Sequence, residues 1–96
     1  MRVRAAFQIR VIEEMTVRIS AYGKGATTTI CVEGRLTAGE VSDLQRQCHE
    51  TDGSPRLDLS GLLSADQEGI RALRLFLSQG IELFGASPYI RELLKR

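Results

Sequence analysis

The sequence predicts an α/β domain, a mixed sheet of about four strands that opens with an antiparallel hairpin and is backed by three main helices. Three observations carry this. Alternating and β-branched runs come first, over residues 17–22 and 27–33. Strand and helix signals then alternate, which implies parallel pairing through right-handed crossovers. Each helical stretch carries its apolar residues on one stripe, as suits a helix laid against a sheet.

Residues 1–14 stand apart. Phe7, Ile9 and Val11 alternate with Gln8 and Arg10, a short strand signal, before Glu13-Glu14 interrupts it. They are expected to be an N-terminal extension, an extra strand or a flexible arm, with the domain covering residues 15–96 from Met15 onward. Met15, Val17, Ile19 and Ala21 form the next alternating run, and Gly23-Lys24-Gly25 reads as the hairpin turn before residues 27–33. Thr37-Ala38-Gly39-Glu40 has capping-box spacing, with Thr37 accepting from the Glu40 backbone and the Glu40 side chain reaching back. The helix behind it carries Val41, Leu44 and Cys48 on one stripe and should end near Glu50, before the loop signal Asp52-Gly53-Ser54-Pro55.

Residues 56–60 read as a short strand with Leu57 and Leu59 on one face. A second helix is expected from about residue 66 to 78. Ile70, Leu73, Phe76 and Leu77 form its buried stripe, Arg71, Arg74 and Ser78 lie opposite, and Leu75 sits on the flank beside Arg71. Ser64-x-x-Gln67 also has capping-box spacing at its start. Gln79-Gly80 supplies the expected stop. Residues 81–84 give another short strand. Ser87-Pro88 is a cap followed by proline at the first helical position, and the last helix buries Ile90, Leu93 and Leu94.

Composition excludes several functions. Ninety-six residues make one domain of modest core, with 43% hydrophobic and 26% charged residues and a net charge of +1. Nothing global points to nucleic acid, and the lack of Trp with only 5% aromatic residues argues against a base-stacking platform. No apolar run approaches the roughly 18 residues that span a bilayer, and the basic N-terminus lacks a signal-peptide core, so a cytoplasmic location without membrane insertion is expected. Cys31 and Cys48 show no metal-ligand spacing and read as small buried hydrophobes. His49, the single histidine, reads as a solvated helix-end residue, and Gly23-Lys24-Gly25 lacks the pattern of a phosphate-binding loop. No catalytic residue, metal or cofactor is expected.

A set of ordered features resembles the STAS domain, the family that includes the anti-anti-sigma factors. They are Val32-Glu33-Gly34-Arg35-Leu36-Thr37, Leu57-Asp58-Leu59-Ser60-Gly61, then Asp66 with Gly69-Ile70 and Leu73. Gly80, Gly85-Ala86-Ser87-Pro88-Tyr89-Ile90 and Leu93-Leu94 complete the set. The resemblance covers roughly residues 27–94. In phosphorylated members of the family the loop before the second helix reads Asp-Ser-Ser-Gly, and the first Ser of the pair accepts phosphate from the partner kinase. Here it reads Asp66-Gln67-Glu68-Gly69. Gln67 occupies the phosphoacceptor position and has no hydroxyl, so regulation by Ser phosphorylation is not expected there. Glu68 supplies a fixed negative charge near the same helix start, where it complements the helix dipole.

The resemblance implies a bacterial, non-enzymatic protein–protein interaction module that regulates transcription as an anti-sigma factor antagonist. Its partner would be an anti-sigma factor or kinase-like protein. The expected contact surface is Ser64, Asp66, Gln67, Glu68, Gly69, Ala72 and Leu75. The alternatives are the STAS subunit of a lipid-trafficking ABC transporter, docked on the ATPase, and a small enzyme or ligand-binding domain using Asp58, Asp66, Glu68 or His49. The sequence leaves the oligomeric state open.

Overall fold

Residues 27–36 explain why the domain is organised as it is. Thr27–Leu36 (β3) is ten residues long and rich in β-branched side chains, long enough to hold several neighbours at once. The computed structural model describes residues 7–13, 17–24, 27–50 and 54–95. Met15, Gly25 and Asp52-Gly53, to which the sequence assigns a domain start, part of a turn and a loop, lie outside the described residues.

Phe7–Glu13 (β1) and Val17–Lys24 (β2) precede β3, and the three strands form an antiparallel meander. The strand signal at Phe7, Ile9 and Val11 is therefore realised, with a register shift between Gln8 and Arg10 that leaves Ile9 as an inserted residue. Ala38–Glu50 (α1) then crosses to Ser54–Asp58 (β4), which lies parallel to the first half of β3. The chain turns through Ser60 and Gly61 into Leu62–Ala65 (β5), which lies parallel to the last residues of β3. Gln67–Ser78 (α2) crosses to Glu82–Phe84 (β6), parallel to β4, and Pro88–Lys95 (α3) closes the fold. The sheet order is β1-β2-β3-β4-β6, with β5 beside β3. The six strands exceed the expected four by β1 and β5, and the hairpin and three helices stand where the sequence places them.

One face of the sheet holds the core. Val17, Ile19 and Ala21 from β2, Ile30, Val32 and Leu36 from β3, Leu57 from β4 and Leu59 just after it pack against Leu44, Ile70, Leu73, Phe76 and Ile90 of the helices. Each Val, Leu, Ile or Phe among them contributes about 1.5–3 kcal/mol when fully buried. The alternation of β2 and β3 turns Arg18, Ser20, Cys31 and Glu33 to the other face. Register sets Ser20 opposite Cys31, and Cys31 opposite Asp58. Ser20 is buried there, and its hydroxyl has no hydrogen-bond partner among the described residues.

Local chemistry accounts for the helix ends. Glu40 accepts from the Thr37 backbone N–H at 3.2 Å and from the Thr37 hydroxyl. Glu40 thus reaches back as the spacing predicts, but the Thr37 hydroxyl donates to its carboxylate while the Glu40 N–H goes to the Thr37 carbonyl. Gly80, at φ 87°, ends α2 in the left-handed region that glycine favours. The Ser87 hydroxyl accepts from the Ile90 N–H at 3.2 Å, the expected cap of α3.

Two expectations for the core need correction. Leu77, assigned to the buried stripe of α2, is 48% exposed, because the buried face is centred on Gly69, Ala72, Leu73 and Phe76 and Leu77 lies on its flank. Leu62 and Leu63, between the expected strand at 56–60 and the helix from about 66, lie in β5, with Leu62 in the core and Leu63 outside it at 73% exposure.

Candidate functional site

The candidate site is the turn from β5 into α2. Ala65 lies opposite Leu36 at the end of β3, so Asp66 emerges beside the start of α1. Its backbone N–H donates to the Leu36 carbonyl at 3.0 Å, and its extended conformation makes it the N-cap of α2. Both carboxylate oxygens are used. Oδ1 accepts from the Gly69 N–H at 2.8 Å, and Oδ2 accepts from the Ala38 N–H at 3.0 Å. One side chain thereby satisfies unpaired donors at the starts of two helices. The cap is Asp66, and Ser64 lies within β5, so the Ser64-x-x-Gln67 spacing is not used as a capping box.

Asp66 leaves Gln67 and Glu68 as the first two residues of α2, both exposed. Glu68 Oε2 accepts from Arg71 Nη1 at 3.0 Å, an exposed pair one helical turn apart and worth about 0.5 kcal/mol or less. Leu75 follows on the same side of α2 and is 45% exposed. Glu68, Arg71 and Leu75 thus form one solvent-facing row leading away from the loop.

Gly69 and Ala72, expected in the contact surface, are both buried. A Cβ at Gly69 would lie 2.5 Å from the Leu36 carbonyl oxygen, so glycine here lets the helix approach the end of β3. Ala72 belongs to the core cluster. Neither offers surface to a partner. Ser64 is half-buried on β5.

Two residues beside this turn, Arg74 and Tyr89, carry no site role in the sequence. Between α2 and α3 lies a cleft of about 470 Å³, bordered by Gln67, Ile70, Arg71, Arg74, Tyr89 and Leu93. Arg74 donates to the carbonyls of Leu93 at 2.9 Å and Leu94 at 3.2 Å, tying α2 to the end of α3. Tyr89 is 54% exposed. The signal was present in Pro88-Tyr89-Ile90, where an aromatic at the second helical position stands about 100° around the helix from a core isoleucine.

The remaining polar candidates lie elsewhere. Asp58 Oδ1 accepts from the Ser60 N–H at 3.0 Å and the Ser60 hydroxyl at 2.7 Å, which shapes the turn into β5. Asp58 is level with Cys31 on β3, whereas Asp66 follows the residue level with Leu36. That separation is roughly 17 Å along the strand, so the two carboxylates form no pair. His49 is exposed in the last turn of α1. Burial pushes the Cys31 thiol up, helped by the negative charges of Asp58 and Glu33 and by its contact with Asp58 Oδ2 at 3.9 Å. Burial alone pushes the Cys48 thiol up to about 11. Both cysteines are free, and neither is a thiolate nucleophile near neutral pH. No group of three or more metal-ligating side chains occurs among the described residues. Among them, too, no helix is long and apolar enough to cross a membrane.

A sheet of this order with helices on one face, and an Asp-capped turn leading into α2, make a STAS-type fold. The chain has the fold of the STAS-domain antisigma-factor antagonist from Rhodobacter sphaeroides, with a TM-score of 0.60. The two share 21% sequence identity, over 77% of this chain and 95% of that one. No family model matches the sequence, and comparison with curated proteins finds no match.

Proposed function

We propose that this domain is a non-enzymatic interaction module that acts in the cytoplasm as an antagonist of an anti-sigma factor, without a phosphorylation switch at position 67. The observation that carries the reading is the doubly bonded Asp66. It fixes the β5–α2 turn so that Gln67 and Glu68 stand on the surface in a set geometry. A rigid display of this kind lowers the ordering cost of binding. Its first helical residue is a glutamine, which accepts no phosphate, and the negative charge beside it is permanent. The similarity to an antisigma-factor antagonist supports the same reading. The contact surface is Gln67 and Glu68 with Leu75, extended by Tyr89 across the cleft.

Co-purification of the tagged full chain from its native host, with identification of the bound protein, tests the proposal. Recovery of an anti-sigma factor or its kinase is expected. Gln67→Arg, Glu68→Lys and Leu75→Glu should each abolish that recovery while leaving the melting temperature within about 2 °C, as surface changes do. Recovery of a transporter ATPase instead, or binding that survives all three changes, would overturn it.

A further inference from the structure

A second cleft opens near the far end of α2. Its volume is about 340 Å³, and it is lined by Leu77, Leu83, Ala86 and Leu94, with Arg91 at its rim, while the Phe84 ring lies on the other face of the sheet under the Arg56 guanidinium at 4.4 Å. Leu77 lies ten residues along α2 from Gln67, about 15 Å away, so this surface is separate from the Asp66 turn. The lining is apolar, yet Leu77 is 48% exposed, which leaves a large hydrophobic side chain facing water at the cleft. The Arg91 guanidinium makes no ion pair or hydrogen bond among the described residues. An unpaired cation beside an apolar cleft favours an occupant that is both apolar and anionic.

The sheet edge supplies the third element. β6 ends the strand order and has a described partner on one side only, β4. The Phe84 carbonyl accepts from Leu59 N–H at 2.8 Å and so faces inward. By the two-residue period of a strand, the N–H and C=O of Leu83 then face outward, along the open edge. An exposed strand edge is a template for another extended chain. A lipid chain would use the apolar wall but leave that donor and acceptor unpaired. The N-terminus of this chain does not suit the site, because Arg2 and Arg4 repeat the charge of Arg91.

We propose that the cleft beside β6 receives an extended acidic–apolar segment of a partner protein. The segment pairs with the Leu83 backbone, seats an apolar side chain against Leu77 and Leu94, and sets a carboxylate two residues away on Arg91. The two-residue spacing follows from the need to point both side chains to one face of the added strand.

The test is fluorescence anisotropy on the full chain with a labelled peptide, Gly-Ser-Leu-Ser-Asp-Ser-Leu-Ser-Asp-Gly, and a control in which both Asp are Lys. The Asp peptide should bind saturably and the Lys peptide should not. Arg91→Glu should weaken binding roughly tenfold or more, the effect of losing one charge-assisted contact. Arg91 is exposed, so its melting temperature should hold. Gln67→Arg should change nothing, which keeps this result independent of the function proposed above. No saturation by about 1 mM peptide, the weak limit of specific recognition, would overturn the proposal. So would equal binding of the Lys peptide, insensitivity to Arg91→Glu, or loss on Gln67→Arg. Displacement by sodium decanoate at the peptide's own affinity would make the occupant an amphiphile. Self-association abolished by Arg91→Glu would make it a second copy. Either result also overturns the proposal.

Discussion

Replacing Asp66 with alanine removes two hydrogen bonds from an anionic acceptor to helix-start N–H groups, at 2.8 Å and 3.0 Å. Loss of an N-cap costs about 1 kcal/mol, and the bond to Ala38, which is solvent-exposed, adds about 0.5–1 kcal/mol. The expected loss is therefore about 1.5–2 kcal/mol. For a domain of this size 1 kcal/mol moves the melting temperature by roughly 4–8 °C, so Asp66→Ala should melt some 6–16 °C lower. Asp66→Asn retains one acceptor oxygen and should lose about half as much. Thermal and urea unfolding followed by circular dichroism measure both. Amide exchange supplies a local readout, because Ala38 and Gly69 N–H should both exchange faster in Asp66→Ala. Melting of Asp66→Ala within about 2 °C of the parent, or a response of the Gly69 amide alone, would show that Asp66 does not cap both helices.

The glycines give a graded series. Gly69→Ala forces a Cβ to 2.5 Å from a backbone oxygen that cannot move aside, so it should cost about 2–3 kcal/mol or prevent folding, read as the urea midpoint. Gly85→Ala adds contact with Asp58 Oδ1 at 3.0 Å to left-handed strain at φ 77°, and should cost more than Gly80→Ala, where φ is 87° but the space is open. Cys48 sets a pH dependence. Its folded pKa, about 11, lies above the ordinary 9.0, so its contribution to stability is fully present below about pH 9 and is lost as pH rises towards 11. The fall in urea midpoint over that window should be smaller in Cys48→Ala than in the parent. Equal slopes would show that burial of this thiol is not linked to stability.

The elements most legible in the sequence are those whose signals are local. Thr37 with Glu40, Ser87 with Pro88, and Gly80 each mark a helix end through residues a few positions apart, and the structure uses all of them. β5 was missed because Leu62-Leu63-Ser64-Ala65 is too short to show alternation, and its pairing with β3 is a tertiary fact. Leu77 was misplaced because the buried face of α2 is centred on Gly69, Ala72, Leu73 and Phe76, and the small Gly69 and Ala72 give little hydrophobic signal of where that centre lies. At the site, the N-cap role of an acid before a helix was readable. The bond from Asp66 to Ala38 spans 28 positions and leaves no local trace. Gly69 and Ala72 were read as surface because the docking of α2, which sets Gly69 against Leu36 and Ala72 in the core, is fixed by the sheet.

β3 has one flank shared by two strands in succession, β4 over Thr27 to Cys31 and β5 from Gly34 onward. The changeover falls at Gly34, whose positive φ lets its N–H reach the Gly61 carbonyl at 2.9 Å. This arrangement makes the middle of the chain a relay. The β2–β3 hairpin forms from neighbours in sequence, whereas both parallel partners must return from beyond a helix or a turn. Assembly is therefore expected to be paced by the docking of the second half of the chain onto an already formed hairpin. In the finished domain the backbone amides of β3 should be among the last to exchange with solvent.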